Sequence, residues 1–125
     1  MNENELSKVI VDKSLKIHKT LGPVLLESVY EEVLFYELTK DNIRCERQIG
    51  IPVAYDGIKM DLGFRADIIV EDKVILELKS VENIMPVHKK QLLSYLKIAQ
   101  LKLELLINFN VELIRDGITR IVNNL

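Results

Sequence analysis

The sequence has almost no cysteine. Cys45 stands alone, so no internal disulfide can form, and one thiol with two separated histidines makes a poor zinc set. Cys45 itself reads as a small, half-buried strand residue. A long apolar run is also missing. Val74-Ile75-Leu76-Glu77 and Leu103-Glu104-Leu105-Leu106 are each broken by a charge, well short of the roughly 18 residues that span a bilayer. No membrane protein is expected. The first residues, Met1-Asn2-Glu3-Asn4-Glu5, are acidic where a signal peptide is basic and then apolar, so the expected location is cytoplasmic. Nor is there a surplus of positive charge. With 17 basic against 19 acidic side chains the formal charge is −2, which argues against coating nucleic acid by bulk electrostatics and leaves phosphate binding to be local or metal-assisted. No repeat, low-complexity tract or Ser/Gly-rich linker divides the 125 residues, and 48% of them are hydrophobic. A single domain over residues 1–125 follows.

What is there is an ordered series of periodic segments. Leu6, Ile10, Ile17 and Leu21 recur at helical spacing until Gly22-Pro23 stops the helix. From about Leu26 to Asp41 a second helix carries Leu26, Val29, Val33 and Tyr36 as its apolar stripe, with Glu27, Glu31, Glu32 and Glu37 largely off it. The period then changes to two. Ile49, Ile51, Val53 and Tyr55 alternate up to Asp56-Gly57, a type I′ hairpin signal, and Ile58, Met60 and Leu62 alternate on the way back. A further strand from Lys73 to Lys79 completes an antiparallel meander. Pro86 opens a third helix with Leu92, Leu96 and Ala99 on one side. Leu103 to Phe109 reads as a buried strand, and Ile118 to Val122 as a short last one. The order is α-α-β-β-β-α-β-(β), an α/β (α+β) chain.

Charge enters this frame at one hairpin. Phe64 to Val70 and Val74 to Lys79 each alternate, and a three-residue connection through Glu71-Asp72-Lys73 pairs Val70 with Val74. Counting back, Ile68 faces Leu76, Asp67 faces Glu77 and Arg65 faces Lys79. One face is then apolar and the other gathers four charges. Directly opposed residues lie roughly 4.5–5.5 Å apart at Cβ, and two carboxylates at that range repel unless a proton or a cation lies between them. Hard divalent ions such as Mg²⁺ or Mn²⁺ take carboxylate and carbonyl oxygens and keep waters that a phosphate can replace. Asp67, Glu77 and the Leu78 backbone carbonyl meet that requirement, and Lys79 is placed to neutralise developing charge or position a water. Acid-x-lysine alone is a weak signal, since Glu71-Asp72-Lys73 matches it as a solvated turn. The competing reading is a charged outer sheet face held by surface ion pairs of at most about 1 kcal/mol each.

Phe64-Arg65-Ala66-Asp67, Val74-Ile75-Leu76-Glu77-Leu78-Lys79 and Gln91-Leu92-Leu93-Ser94-Tyr95-Leu96 together resemble the PD-(D/E)xK nuclease superfamily. More narrowly, residues 5 to 125 resemble the small bacterial and archaeal GxxExxY proteins. Glu27 and Tyr30 supply the Glu and Tyr of that name, Leu105-Leu106-Ile107-Asn108-Phe109 is similar to the late strand, and Val24 stands where the naming glycine falls. The resemblance implies a restriction-endonuclease-like core: a mixed central sheet containing a three-stranded antiparallel meander, with helices on both faces. It implies that Glu27 reaches from its helix toward Asp67 and Glu77 as a further acidic ligand. Gln91 would help orient the site, and Tyr95 would lie near nucleic acid. His88, Gln91 and Tyr95 share a helical face by spacing, with His88 left outside the core set. Arg65, Lys89, Lys90 and Lys97 are candidate phosphate contacts, with solvated lysines the simpler reading.

The leading expectation is a metal-dependent nuclease that hydrolyses DNA, before RNA, through a metal-activated water, with Mg²⁺ or Mn²⁺ as cofactor. The alternative is a catalytically inactive module that keeps the scaffold to bind nucleic acid or a protein partner. A homo-oligomer or a place in a larger complex is compatible with either.

Overall fold

Asn2 starts the first helix. Its Oδ1 accepts from Glu5 N–H at 2.8 Å and the Glu5 carboxylate accepts from Asn2 N–H at 3.0 Å, so two of the unpaired donors of a helix start are satisfied reciprocally. This computed structural model describes residues 1–60 and 64–125. Helix α1 spans Glu3–Leu21 and ends at Gly22, whose φ of +73° suits a residue without Cβ. Helix α2 spans Glu27–Lys40. Five longer strands, β1 (Cys45–Gly50), β4 (Arg65–Val70), β5 (Val74–Lys79), β6 (Leu103–Asn108) and β7 (Ile118–Val122), form one mixed sheet in the order β1-β4-β5-β6-β7. Between β1 and β4 a small hairpin, β2 (Val53–Tyr55) and β3 (Ile58–Met60), makes a sheet of its own. Helix α3 spans Pro86–Ala99 and carries the chain from β5 across to β6, the one parallel pair. A parallel neighbour needs such a crossover.

Both hairpin turns form at the positions read from the sequence. Asp56 and Gly57 both have positive φ, at 53° and 74°, with Tyr55 opposite Ile58. Glu71 and Asp72 likewise turn the chain so that Val70 pairs with Val74 and Ile68 with Leu76, and Arg44 bonds the tip at Asp72. The meander is antiparallel as expected, but its long arms are broken. Pro52, which has no N–H to give a ladder, follows the end of β1. The second arm is described only as β3 and β4, and Leu62, assigned to it from sequence, lies outside the described residues.

Helices cover both faces. Leu6, Ile10 and Ile17 of α1 and Tyr30, Leu34 and Leu38 of α2 pack on Ile68, Val74, Leu76, Leu78, Leu105 and Ile107. On the other face Leu92 and Leu96 of α3 pack on Ala66, Ile75, Leu106 and Ile121. Strands buried on both sides are the rule where helices sandwich a sheet, and Val74 to Leu78 are all buried. The apolar stripe read on α2 is corrected: Leu26 is 74% and Tyr36 59% exposed. The buried stripe is Tyr30, Leu34 and Leu38, and with it go two acids, Glu31 and Glu37. These glutamates are buried because they are paired, Glu31 with Arg47 at 2.9 Å and Glu37 with Lys16 and Lys40, each at 2.9 Å. No described helix is long and apolar enough to cross a membrane.

Candidate active site

The β4–β5 ladder stops at Ile68–Leu76. Beyond it β4 keeps to β1, with Arg65 opposite Gly50, and β5 keeps to β6, with Lys79 opposite Asn108. The direct cross-strand pairs expected for Asp67 with Glu77 and for Arg65 with Lys79 are therefore not rungs of the sheet. The two strands part, and the Asp67 side chain occupies the opening: its Oδ2 accepts the Leu78 N–H at 2.8 Å. This N–H, which would otherwise lack a partner across the gap, fixes one carboxylate oxygen.

Glu77 lies next to it, 7% exposed, with its Oε1 buried and without a hydrogen-bond partner. Burial, then the charge of Asp67, push the Glu77 carboxyl up to about 8, while Lys79 pulls the other way. Asp67 is raised as well, first by burial, then by the charge of Glu31, against the opposing Leu78 hydrogen bond. Lys79 makes no ion pair with the described residues. The pair thus holds more proton than two solvated carboxylates would. Two cavities flank it. On the α3 side Glu77, Lys79, His88, Gln91 and Tyr95 line a space of about 230 Å³. On the α2 side Glu27, Ser28, Glu31, Gln48 and Asp67 line one of about 470 Å³. A space of about 390 Å³ between β1, β2 and the end of α3 is mostly apolar and holds none of these side chains.

The sequence profile of the PD-(D/E)XK nuclease superfamily matches residues 4–121. The chain belongs to this superfamily. No curated protein and no solved structure matches it. PD-(D/E)XK nucleases generally use divalent metal ions. Among the described residues no three His, Cys, Asp or Glu side chains are grouped tightly enough to hold an ion. The donor chemistry nevertheless fits one. The unpartnered Glu77 oxygen and the raised Asp67 and Glu77 carboxyls are what a cation-binding pair shows when protons stand in for the cation.

The remaining sequence candidates separate by element. Glu27 opens on the Asp67 side, but its carboxylate is tied to Ser80 N–H at 3.2 Å. Gln91 and Tyr95 do share a face, with Gln91 Nε2 donating to the Tyr95 hydroxyl at 3.4 Å and the Tyr95 ring stacked on Phe64 at 3.8 Å. His88 joins them at the Glu77 cavity. Lys89 and Lys90 are exposed on α3. Arg65, offered as a phosphate contact, donates to the Gln48 carbonyl.

Three residues near the site were passed over in the sequence. Glu104 of β6 is fully buried on the Glu77 side of the sheet, across from Ile75, with neither carboxyl oxygen partnered. Burial, then the charges of Glu77 and Asp67, raise it to about 9. A lone acid inside a strand that is otherwise apolar was its only signal. Asn108, 4% exposed, holds the chain after Lys79, giving its Nδ2 to Val81 carbonyl at 2.8 Å and accepting from Val81 N–H at 3.1 Å. Gln48 bonds Glu31 and Asp67 together, and nothing in the strand pattern marks it.

Proposed function

We propose that the chain is a metal-dependent nuclease in which Asp67 and Glu77, with the Leu78 carbonyl and Glu27 as further candidates, hold Mg²⁺ or Mn²⁺. The observation that carries this reading is the unpartnered, buried Glu77 oxygen beside Asp67 in a PD-(D/E)XK chain. Such an ion supplies a lowered water pKa and polarises a phosphodiester. Lys79, on the same strand face as Glu77, stabilises negative charge as it develops on the phosphate. Gln91, which lines the Glu77 cavity from α3, helps orient the site. Tyr95, with Arg65, Lys89 and Lys90, contacts the strand. The burial that raises Glu77 also keeps bulk water from its unpartnered oxygen, so a bound cation is screened little. We further infer, from Glu27 and Tyr30, a place among the GxxExxY proteins, with DNA as substrate before RNA. The protein would act in the cytoplasm, alone, as a homo-oligomer or within a larger complex.

The test is a cleavage assay on single- and double-stranded DNA and RNA across Mg²⁺ and Mn²⁺ titrations. Wild type should cut only with metal. Glu77→Ala and Lys79→Ala should each lose about 100-fold or more in rate. Intact substrates under all conditions would remove the catalytic reading and leave a scaffold that binds nucleic acid or a protein partner.

A further inference from the structure

Gln48 lies on β1 between the rungs Arg47–Ile68 and Ile49–Ala66, directly across from Asp67. Its backbone is unusual. The φ of +50° is in the left-handed region, which a residue with Cβ adopts only at a cost, and Arg65 donates to its carbonyl there. The conformation coincides with a side chain in use. Nε2 of Gln48 donates to Glu31 Oε1 at 2.6 Å and to Asp67 Oδ1 at 3.3 Å. A carboxamide nitrogen carries two hydrogens, so one group serves two carboxylates, and only the nitrogen end can face them without opposing lone pairs.

Glu31 is itself anchored. It is 7% exposed, and its other oxygen accepts from Arg47 Nε at 3.1 Å and Nη2 at 2.9 Å. The second oxygen of Asp67 accepts from Leu78. Each carboxylate is thus held at both oxygens, and a chain of charge-assisted bonds runs from Arg47 through Glu31 and Gln48 to Asp67. We propose that Gln48 is a positioning residue for Asp67: its carboxamide ties the Asp67 carboxylate to the Arg47-anchored Glu31 and so fixes how Asp67 faces a divalent cation. This rests on the cation-holding role given to Asp67 above. The partners that orient metal-binding side chains typically change affinity or activity 10- to 100-fold when removed.

Two measurements test it. In metal-free protein one of the two side-chain amide proton resonances of Gln48 should move by NMR in Asp67→Asn. Calorimetry with Mn²⁺ should give a Kd about tenfold weaker in Gln48→Met, which keeps length and neutrality but has no donor, with the unfolding midpoint used to confirm that the variant is folded. Wild-type and Gln48→Met proteins that bind Mn²⁺ equally, or a Gln48 amide indifferent to Asp67→Asn, overturn the proposal. Wild type that binds no Mn²⁺ instead overturns the cation role of Asp67, and this proposal with it.

Discussion

Glu104 and Glu77 illustrate how much a single residue's meaning depends on its surroundings. In the sequence each is an acid inside an apolar strand; only Glu77 is followed two positions later by a lysine. In the fold both lie on the α3 side of neighbouring strands, buried, with unpartnered oxygens. Glu104 keeps its proton to about 9 when folded and releases it near 4.5 when unfolded. Below the lower value both states are protonated; through the window between, only the folded state is, so stability falls as pH rises. Glu104→Gln, a neutral isostere, should therefore stabilise the protein little at pH 5 and markedly more at pH 8. Urea unfolding at the two pH values measures it. An equal effect at both would mean that Glu104 ionises freely in the folded protein.

At the scale of elements, the strands after residue 64 and the helix α3 were legible because their periodicity, turns and Pro86 agreed with one another. Val70–Val74 and Ile68–Leu76 pair as counted from the turn. The count failed one residue later, at Asp67 and Glu77, where β4 stays with β1, β5 stays with β6, and the Asp67 side chain takes the Leu78 N–H instead. Helix α2 was misread for a related reason: Glu31 and Glu37 look like solvent-facing acids until Arg47 and the lysines of α1 are brought to them. The segment after β5 depends on another distant contact. A Cβ on Gly117 would stand 2.1 Å from the Asn108 carbonyl oxygen and 3.0 Å from Val111 Cγ2. Since the first of these is backbone, Gly117→Ala should cost about 1–3 kcal/mol and loosen the Asn108 hold on Val81. A lowered melting temperature, together with faster amide exchange at Val81, is the expected pair of results. An unchanged Val81 rate would show that the two are not coupled.

For the molecule as a whole, its buried acids set opposite pH limits. Glu37, held by Lys16 and Lys40, is lowered to about 2; its stabilisation is present above 4.5 and is lost as pH falls from 4.5 through about 2. Glu77 and Glu104, raised to about 8 and about 9, weaken the fold as pH rises. Metal-free protein should therefore be most stable at about pH 5. Saturating Mn²⁺ should move that optimum upward, because a cation on Glu77 takes the place of its proton, and Mn²⁺ affinity should itself increase as pH approaches 8. Unfolding curves across pH, with and without the ion, test both; an alkaline optimum without metal would contradict the assigned burial effects.

What the sequence by itself determined was local: the stop after the first helix, the start of the third, the two turns, the first rungs of the hairpin, and the closeness in the chain of two acids, Asp67 and Glu77, and a lysine, Lys79, around one turn. Those follow from backbone sterics and side-chain type, which neighbours a few residues away suffice to express. The tertiary structure alone decided where the strands part, that Asp67 bonds Leu78 in the gap, that Glu104 lies buried behind Glu77, and that Gln48 joins Asp67 to Glu31. Those depend on which distant groups compete for the same hydrogen bonds and exclude the same water, and no period in the chain encodes that competition.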